Sequence, residues 1–103
     1  MSRDGPRISA QTLLVLGALL ACSGGELSGA DIGRETHLAS GTLYPILLRL
    51  EDAGWLKSRW ESDHPTALGR PRRRLYQVTG LGAEKAISVF RELEPTFRRL
   101  AWA

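Results

Sequence analysis

One amphipathic segment, residues 40–53, constrains the fold of this 103-residue chain more than any other. Apolar residues recur in it at spacings of three and four, which predicts a helix with a single buried stripe made of Leu43, Ile46, Leu47 and Leu50. Gly54 follows the last periodic residue, as glycine commonly does where a helix ends. Pro45 lies in the first turn or just beyond it, where a missing N–H is best tolerated. The opposite face carries Gly41, Thr42, Arg49 and Asp52, with Tyr44 and Leu48 at its borders.

Two helices are predicted before this segment. Ser9 can cap a first, strongly apolar helix, which the pair Gly24-Gly25 ends. Ser28 can cap a second, short helix with Asp31 as its N3 residue, ending near residues 36–37. A helix that is apolar nearly all round must be buried on several sides. In so small a domain, we expect a partner chain to provide part of that burial.

The apolar run from Leu13 to Cys22 also has an alternative interpretation. Ten helical residues span about 15 Å, half of a bilayer core, so the run is too short to cross a membrane. Arg3 and Arg7 precede it, and the pattern is similar to a bacterial lipoprotein signal with Cys22 as the lipid acceptor. The helix cap at Ser9 favours a folded helix instead. A single cysteine excludes an intramolecular disulfide and is typical of a reducing compartment, so we expect a cytoplasmic protein without a membrane partner.

Two strands and a last helix are predicted in the second half of the chain. Residues 55–61 and 72–78 are rich in aromatic and branched side chains, and the ten residues between them hold two prolines and a glycine, which predicts an exposed loop. Thr79 can cap the last helix, which Pro95 should interrupt or kink. The predicted fold is mainly α with a small β-hairpin, in the order α-α-α-β-wing-β-α of a winged helix-turn-helix. We divide it into a winged-helix unit at residues 1–78 and a C-terminal helix at residues 79–103.

Positive charge is concentrated around the predicted hairpin. Residues 49–74 hold seven of the 14 Lys and Arg residues against four acidic ones, so this stretch alone accounts for the formal net charge of +3. Four of the seven are arginines within residues 69–74. Taken alone, such a run is usually a solvated face. At the tip of a wing beside a helix-turn-helix, it indicates contact with the DNA backbone or minor groove.

The residues of the third helix and the wing resemble those of a known family. Residues 40–56, SGTLYPILLRLEDAGWL, are similar to the signature of PadR-like transcriptional regulators. Gly69-Arg70-Pro71, followed by Arg74, Tyr76, Thr79 and Gly82, is similar to that family's wing and the start of its last helix. The resemblance covers about residues 10–90. It implies a homodimeric bacterial repressor that binds double-stranded, pseudo-palindromic DNA and dimerises through its first and last helices.

The resemblance also implies sites and a subgroup. Many members sense small aromatic or amphipathic molecules, and the end of the chain at Ala103 favours the short subgroup that lacks a separate C-terminal helical domain. The residues expected to contact DNA are Ser40, Gly41, Thr42, Tyr44, Arg49, Arg70, Arg72, Arg73 and Arg74. Those expected at the dimer interface or a ligand site are Leu13, Leu16, Phe90, Leu93, Phe97 and Trp102.

Several of these residues have competing structural roles. Tyr44 could pack at the helix start, Thr42 could cap it, and Arg49 could pair with Glu51 or Asp52. Glu51 is unfavourable at a helix C-terminus, and an ion pair with an arginine of the hairpin would explain it. The aromatic residues could belong to the core rather than to a ligand pocket. For the whole chain, the alternative is a winged-helix module that binds protein instead of DNA.

Nothing in the sequence predicts an enzyme, a metal site or a cofactor. His37 and His64 are far apart, and neither has a second His or Cys at ligand spacing. There is no glycine-rich phosphate loop, and no nucleophile stands beside a base.

Overall fold

The computed structural model describes residues 8–102, with only the backbone of Trp102. Its helices are α1 (Ala10–Ala21), α2 (Gly29–Thr36), α3 (Ser40–Asp52), α4 (Pro65–Leu68) and α5 (Gly80–Trp102). Its strands are β1 (Leu27–Ser28), β2 (Leu56–Trp60) and β3 (Arg74–Val78). This order confirms the predicted winged helix-turn-helix class. No helix within residues 8–102 is long and apolar enough to cross a membrane. The lipoprotein alternative rests partly on Arg3 and Arg7, which lie outside the described residues.

Side-chain caps begin the first two helices, as predicted. The Ser9 hydroxyl accepts a hydrogen bond from the Thr12 backbone N–H at 3.1 Å. At α2, Ser28 and Asp31 form a reciprocal capping box, with distances of 3.1 and 3.3 Å. α2 ends at His37, whose φ of 60° turns the chain sharply toward α3. These local signals fix where α1 and α2 start and how closely α3 follows α2.

The core lies beneath α3 and between α1, α2 and the sheet. The predicted stripe of Leu43, Ile46, Leu47 and Leu50 is buried, and each of these side chains is at most 3% exposed. Leu16 is a correction to the sequence prediction. It was expected at a dimer or ligand surface, but it has no exposed surface because the core of its own protomer encloses it.

The sheet has three strands in the order β1-β3-β2, all antiparallel, where the sequence predicted a two-stranded hairpin. The third strand, β1, has only two residues, and it pairs Leu27 with Tyr76 and Ser28 with Leu75. The two wing strands are shorter than predicted, because the last ladder pair joins Trp60 to Arg74. Beyond that pair, the chain forms the helical turn α4 where the sequence predicted loop.

α5 continues through Pro95, so the proline does not interrupt this helix, and a kink at Pro95 stays a prediction. Proline removes the N–H that would bond to the carbonyl of Arg91. Both residues are exposed, and water can satisfy that carbonyl. The start of α5 packs on the rest of the fold: Ala86 is fully buried, and the Cα of Gly82 lies against the Trp55 backbone. The division of the chain after residue 78 stays a prediction.

Candidate nucleic-acid interface

The outward side of α3 is not covered by the rest of residues 8–102. It presents an exposed row opposite the buried leucines, with Thr42 half-buried at its edge; the row comprises Ser40, Gly41, Tyr44, Pro45, Leu48 and Arg49. α3 has no side-chain cap because Ala39 occupies the N-cap position. The Thr42 hydroxyl therefore does not serve as the cap, which was its competing role. Within residues 8–102, no carboxylate lies within 4.0 Å of the Arg49 guanidinium, so the predicted local pairing is not formed.

Tyr44 leans from α3 over the first residue of α2. A methyl group built on Gly29 would lie 2.5 Å from the Tyr44 hydroxyl oxygen and 2.9 Å from two ring carbons. The tyrosine ring therefore occupies the space that any larger side chain at position 29 would need. Tyr44 remains 48% exposed, and its hydroxyl lies beside the first turn of α2, where backbone N–H groups have no helical partner.

A cleft of about 380 Å³ connects this tyrosine to the wing. Three elements form it: the start of α2, α3, and the paired ends of β2 and β3. Its lining combines aromatic rings with cations and comprises Ser28, Gly29, Ala30, Tyr44, Trp60, Arg73, Arg74 and Tyr76. Burial raises the pKa of the Tyr76 hydroxyl. An open cleft with hydroxyl and guanidinium donors suits the sugar-phosphate backbone of a nucleic acid.

Arg74 ties the root of the wing to the end of α3. Its guanidinium lies 5.3 Å from the centroid of the Trp60 ring, and its Nε donates to the Ser58 hydroxyl at 2.9 Å. Ser58 donates in turn to Glu51 of α3, and Nη2 of Arg74 lies 3.7 Å from the same carboxylate. The predicted ion pair between Glu51 and a hairpin arginine is thus confirmed. Arg74 holds elements together and has less freedom to reach DNA than the sequence suggests.

The tip of the wing is organised around Glu61. Arg70 donates to both carboxylate oxygens at 2.6 and 3.0 Å, and the Arg73 backbone N–H donates at 2.8 Å. These hydrogen bonds, above all those from Arg70, lower the pKa of Glu61 to about 2. Arg72 donates from Nε to the Asp63 backbone carbonyl at 3.0 Å. The side chains of Arg72 and Arg73 are exposed at this tip.

The structure adds two residues to the candidate site that the sequence did not assign to it. Trp60 is one of the aromatic residues for which the sequence predicts only a place in the core or a ligand pocket, yet it is 57% exposed and lines the cleft. Gly29 was not singled out, and its role depends on Tyr44 lying across it. A period-2 reading of β2 could have placed Trp60 on the same sheet face as Ser58. No local signal could have joined Gly29 to Tyr44.

Three of the six residues predicted at a dimer or ligand surface, Leu13, Phe90 and Phe97, line one apolar groove between α1 and α5. Leu14 and Gly17 line it as well, and its volume is about 560 Å³. Phe97 is 60% exposed and Leu14 51% exposed, whereas Phe90 packs partly on the core. Leu93 is half-buried on α5, and the side chain of Trp102 lies outside the described part of the chain.

A helix-turn-helix whose second helix is open on one side, followed by a wing with exposed arginines, defines a winged-helix DNA-binding protein. The family model described as "Transcriptional regulator PadR-like family" matches residues 29–87. The chain therefore belongs to the PadR-like family of transcriptional regulators, as the sequence resemblance predicted, and is a DNA-binding regulator of transcription.

Solved structures with the same fold include other regulators. A PadR family transcription regulator from hypervirulent Clostridium difficile has a TM-score of 0.74 at 20% identity, with 91% of this chain and 97% of that chain covered. The protein smu.1704 from Streptococcus mutans has a TM-score of 0.67 at 27% identity, with coverage of 84% and 81%. A MarR variant from E. coli complexed with operator DNA has a TM-score of 0.67 at 17% identity, and this chain covers 56% of its length. No curated protein matches the chain.

Proposed function

We propose that the chain is a homodimeric repressor whose two α3 helices enter successive major grooves of a pseudo-palindromic operator. The observation that carries this proposal is the uncovered side of α3, which continues through the cleft into the wing. Ser40, Gly41, Thr42, Tyr44 and Arg49 are the proposed contacts of α3. Arg72 and Arg73 are the proposed backbone contacts of the wing. A MarR variant with this fold is solved in complex with operator DNA, which supports DNA as the partner.

The test measures binding to duplex DNA from the promoter region of the protein's own gene, by fluorescence anisotropy at several salt concentrations. Each phosphate contact contributes about 0.9 to the slope of log K against log salt. The variant R72A/R73A should bind more weakly and with a shallower slope. T42A and Y44F should weaken binding to this duplex. Wild-type behaviour of all three variants would contradict the proposal, and absence of any DNA binding would favour the protein-binding module.

We propose the apolar side of α1 and α5 as the dimer interface. Leu14, Phe97 and Leu100 are 51%, 60% and 68% exposed, and exposed apolar side chains on neighbouring helices mark an interaction surface. F97E should shift the protein from dimer to monomer in sedimentation. S88E is the matched control, because residue 88 lies nine positions earlier and therefore on the opposite side of the same helix. Equal behaviour of the two variants would rule this surface out.

A small aromatic effector is the final part of the proposal. The groove beside Phe90 and Phe97 is apolar and large enough for one aromatic ring system, with Glu35 at its edge. A neighbour of the same fold, NadR, is solved in complex with 4-hydroxyphenylacetate. That compound is a suitable first probe: it should raise the melting temperature and release DNA. Unchanged melting and DNA binding with this probe would remove the support for an aromatic acid as the effector.

A further inference from the structure

The wing carries an acidic residue, Glu61, at the point where DNA would approach, and hydrogen bonds from the wing itself occupy its carboxylate. Glu61 follows β2 directly, and its carboxylate receives three hydrogen bonds, two from Arg70 and one from the Arg73 backbone. Its own backbone N–H donates to the Arg73 carbonyl at 2.9 Å. Both ends of the wing loop are therefore fastened to one residue.

Arg70 has few donors left for a partner outside the wing. Nη1 donates to the Pro71 carbonyl at 3.1 Å in addition to Glu61, and the side chain is only 33% exposed. The side chain of Arg73 differs, because within residues 8–102 no carboxylate lies within 4.0 Å of it. The two arginines are three positions apart in sequence but have opposite surroundings.

An isolated carboxylate in a DNA-binding wing would repel phosphates and weaken binding. We infer that Glu61 is a positioning residue for DNA binding, which fastens the wing so that the Arg73 side chain faces the DNA, and that Arg70 acts on Glu61 rather than on DNA. This inference rests on the proposed DNA-binding function. Without Glu61, the wing loop and Arg73 must be ordered when DNA binds, and ordering one long side chain weakens binding by about 2- to 12-fold per wing.

The test compares two variants that remove the same charge from the same loop. Asp63 lies two residues from Glu61, and its carboxylate forms no ion pair with the described residues, while its backbone carbonyl keeps the bond from Arg72. D63N removes only a repulsion, so its affinity for duplex DNA should rise by up to about 2-fold. E61Q removes the same repulsion and also turns an amide N–H toward Arg70. Its affinity should fall by about 2- to 12-fold per wing.

Salt dependence separates the two arginines. R73A should reduce the slope of log K against log salt by about 0.9 per wing, because a phosphate contact is lost. R70A should lower the affinity as E61Q does and leave the slope unchanged. Thermal unfolding of every variant provides the control for folding, and unchanged melting of R70A keeps the test valid if E61Q unfolds.

Two results would overturn the inference: tighter DNA binding by E61Q, as for D63N, or a reduced salt slope for R70A that matches R73A. The first would make Glu61 a simple opposing charge, and the second would make Arg70 a phosphate contact. Both results differ from a failure of the proposed function. If the proposed function were wrong, the wild-type protein itself would not bind duplex DNA.

Discussion

Replacement of Gly29 by alanine should displace Tyr44 and leave the fold intact. The added methyl group would lie 2.5 Å from the Tyr44 hydroxyl oxygen, far inside van der Waals contact. The three nearest atoms all belong to the end of one side chain that is 48% exposed, so the ring can rotate outward. Gly29 is the first residue of α2, and alanine favours a helix over glycine by up to about 1 kcal/mol. Stability should therefore be unchanged or slightly higher.

The displacement should weaken DNA binding by the value of one contact. A hydrogen bond to a charged group contributes about 1.5–3 kcal/mol, which corresponds to roughly 12- to 160-fold in affinity per protomer. Fluorescence anisotropy on a duplex, together with thermal unfolding, measures both quantities. G80A is the matched control, since a methyl group on Gly80 at the start of α5 meets no atom within 4 Å.

A double-mutant cycle makes the test specific to this pair of residues. In a Y44A background, G29A should have no further effect on affinity, because the group that it displaces is already absent. If G29A binds like the wild type while Y44A binds weakly, Gly29 does not set the position of Tyr44. If G29A weakens binding equally with and without Tyr44, its effect arises elsewhere at the start of α2.

Three further predictions concern stability and assembly. G82A should destabilise the fold by about 3 kcal/mol in urea unfolding, because its methyl group would lie 2.1 Å from the Trp55 carbonyl oxygen, a backbone atom that cannot move aside. In the folded protein the pKa of Glu61 is lowered from 4.5 to about 2, so its contribution to folding stability is present above about pH 4.5 and is lost as the pH falls toward 2. Between these two pH values, the melting temperature of E61Q should therefore fall less than that of the wild type. L16A should lose about 2–5 kcal/mol of stability because it leaves a cavity in the core. Leu100 is 68% exposed, so L100A should hardly change the stability of the protomer and should weaken the dimer in sedimentation.

The helices α1 to α3 and the core stripe of α3 were predictable because their signals are local. The Ser28 and Asp31 capping box spans four residues, and the buried stripe of α3 repeats within two turns, so each can be recognised without knowledge of distant contacts. The continuation of α5 through Pro95 was not predictable from local signals, because it depends on the solvent around the exposed Arg91 carbonyl. The two-residue strand β1 was missed because its only evidence is pairing with Tyr76 and Leu75, which are remote in sequence.

The candidate site was predictable by element and less so by residue. Periodicity placed one face of α3 outward, and composition placed cations on the wing. The cleft between them requires the start of α2, which approaches only because the turn at His37 folds α2 back on α3. The contact of Tyr44 with Gly29 and the exposure of Trp60 follow from that approach, so no pattern within a single segment predicts them.

The wing shows why a count of arginines overstates the charge available to DNA. Four arginines lie within residues 69–74, and sequence alone treats them as equal. In the structure, Arg70 pairs with Glu61 and Arg74 lies against Glu51, so two of the four meet a carboxylate of the same chain. If only Arg72 and Arg73 contact phosphates, the two wings of a dimer should contribute about 3.6 to the salt slope of DNA binding. If all four arginines of each wing contacted phosphates, the contribution would be about 7.2. A wing contribution near the larger value, measured as the difference between the wild type and a variant with all four arginines replaced, would mean that both ion pairs open when DNA binds.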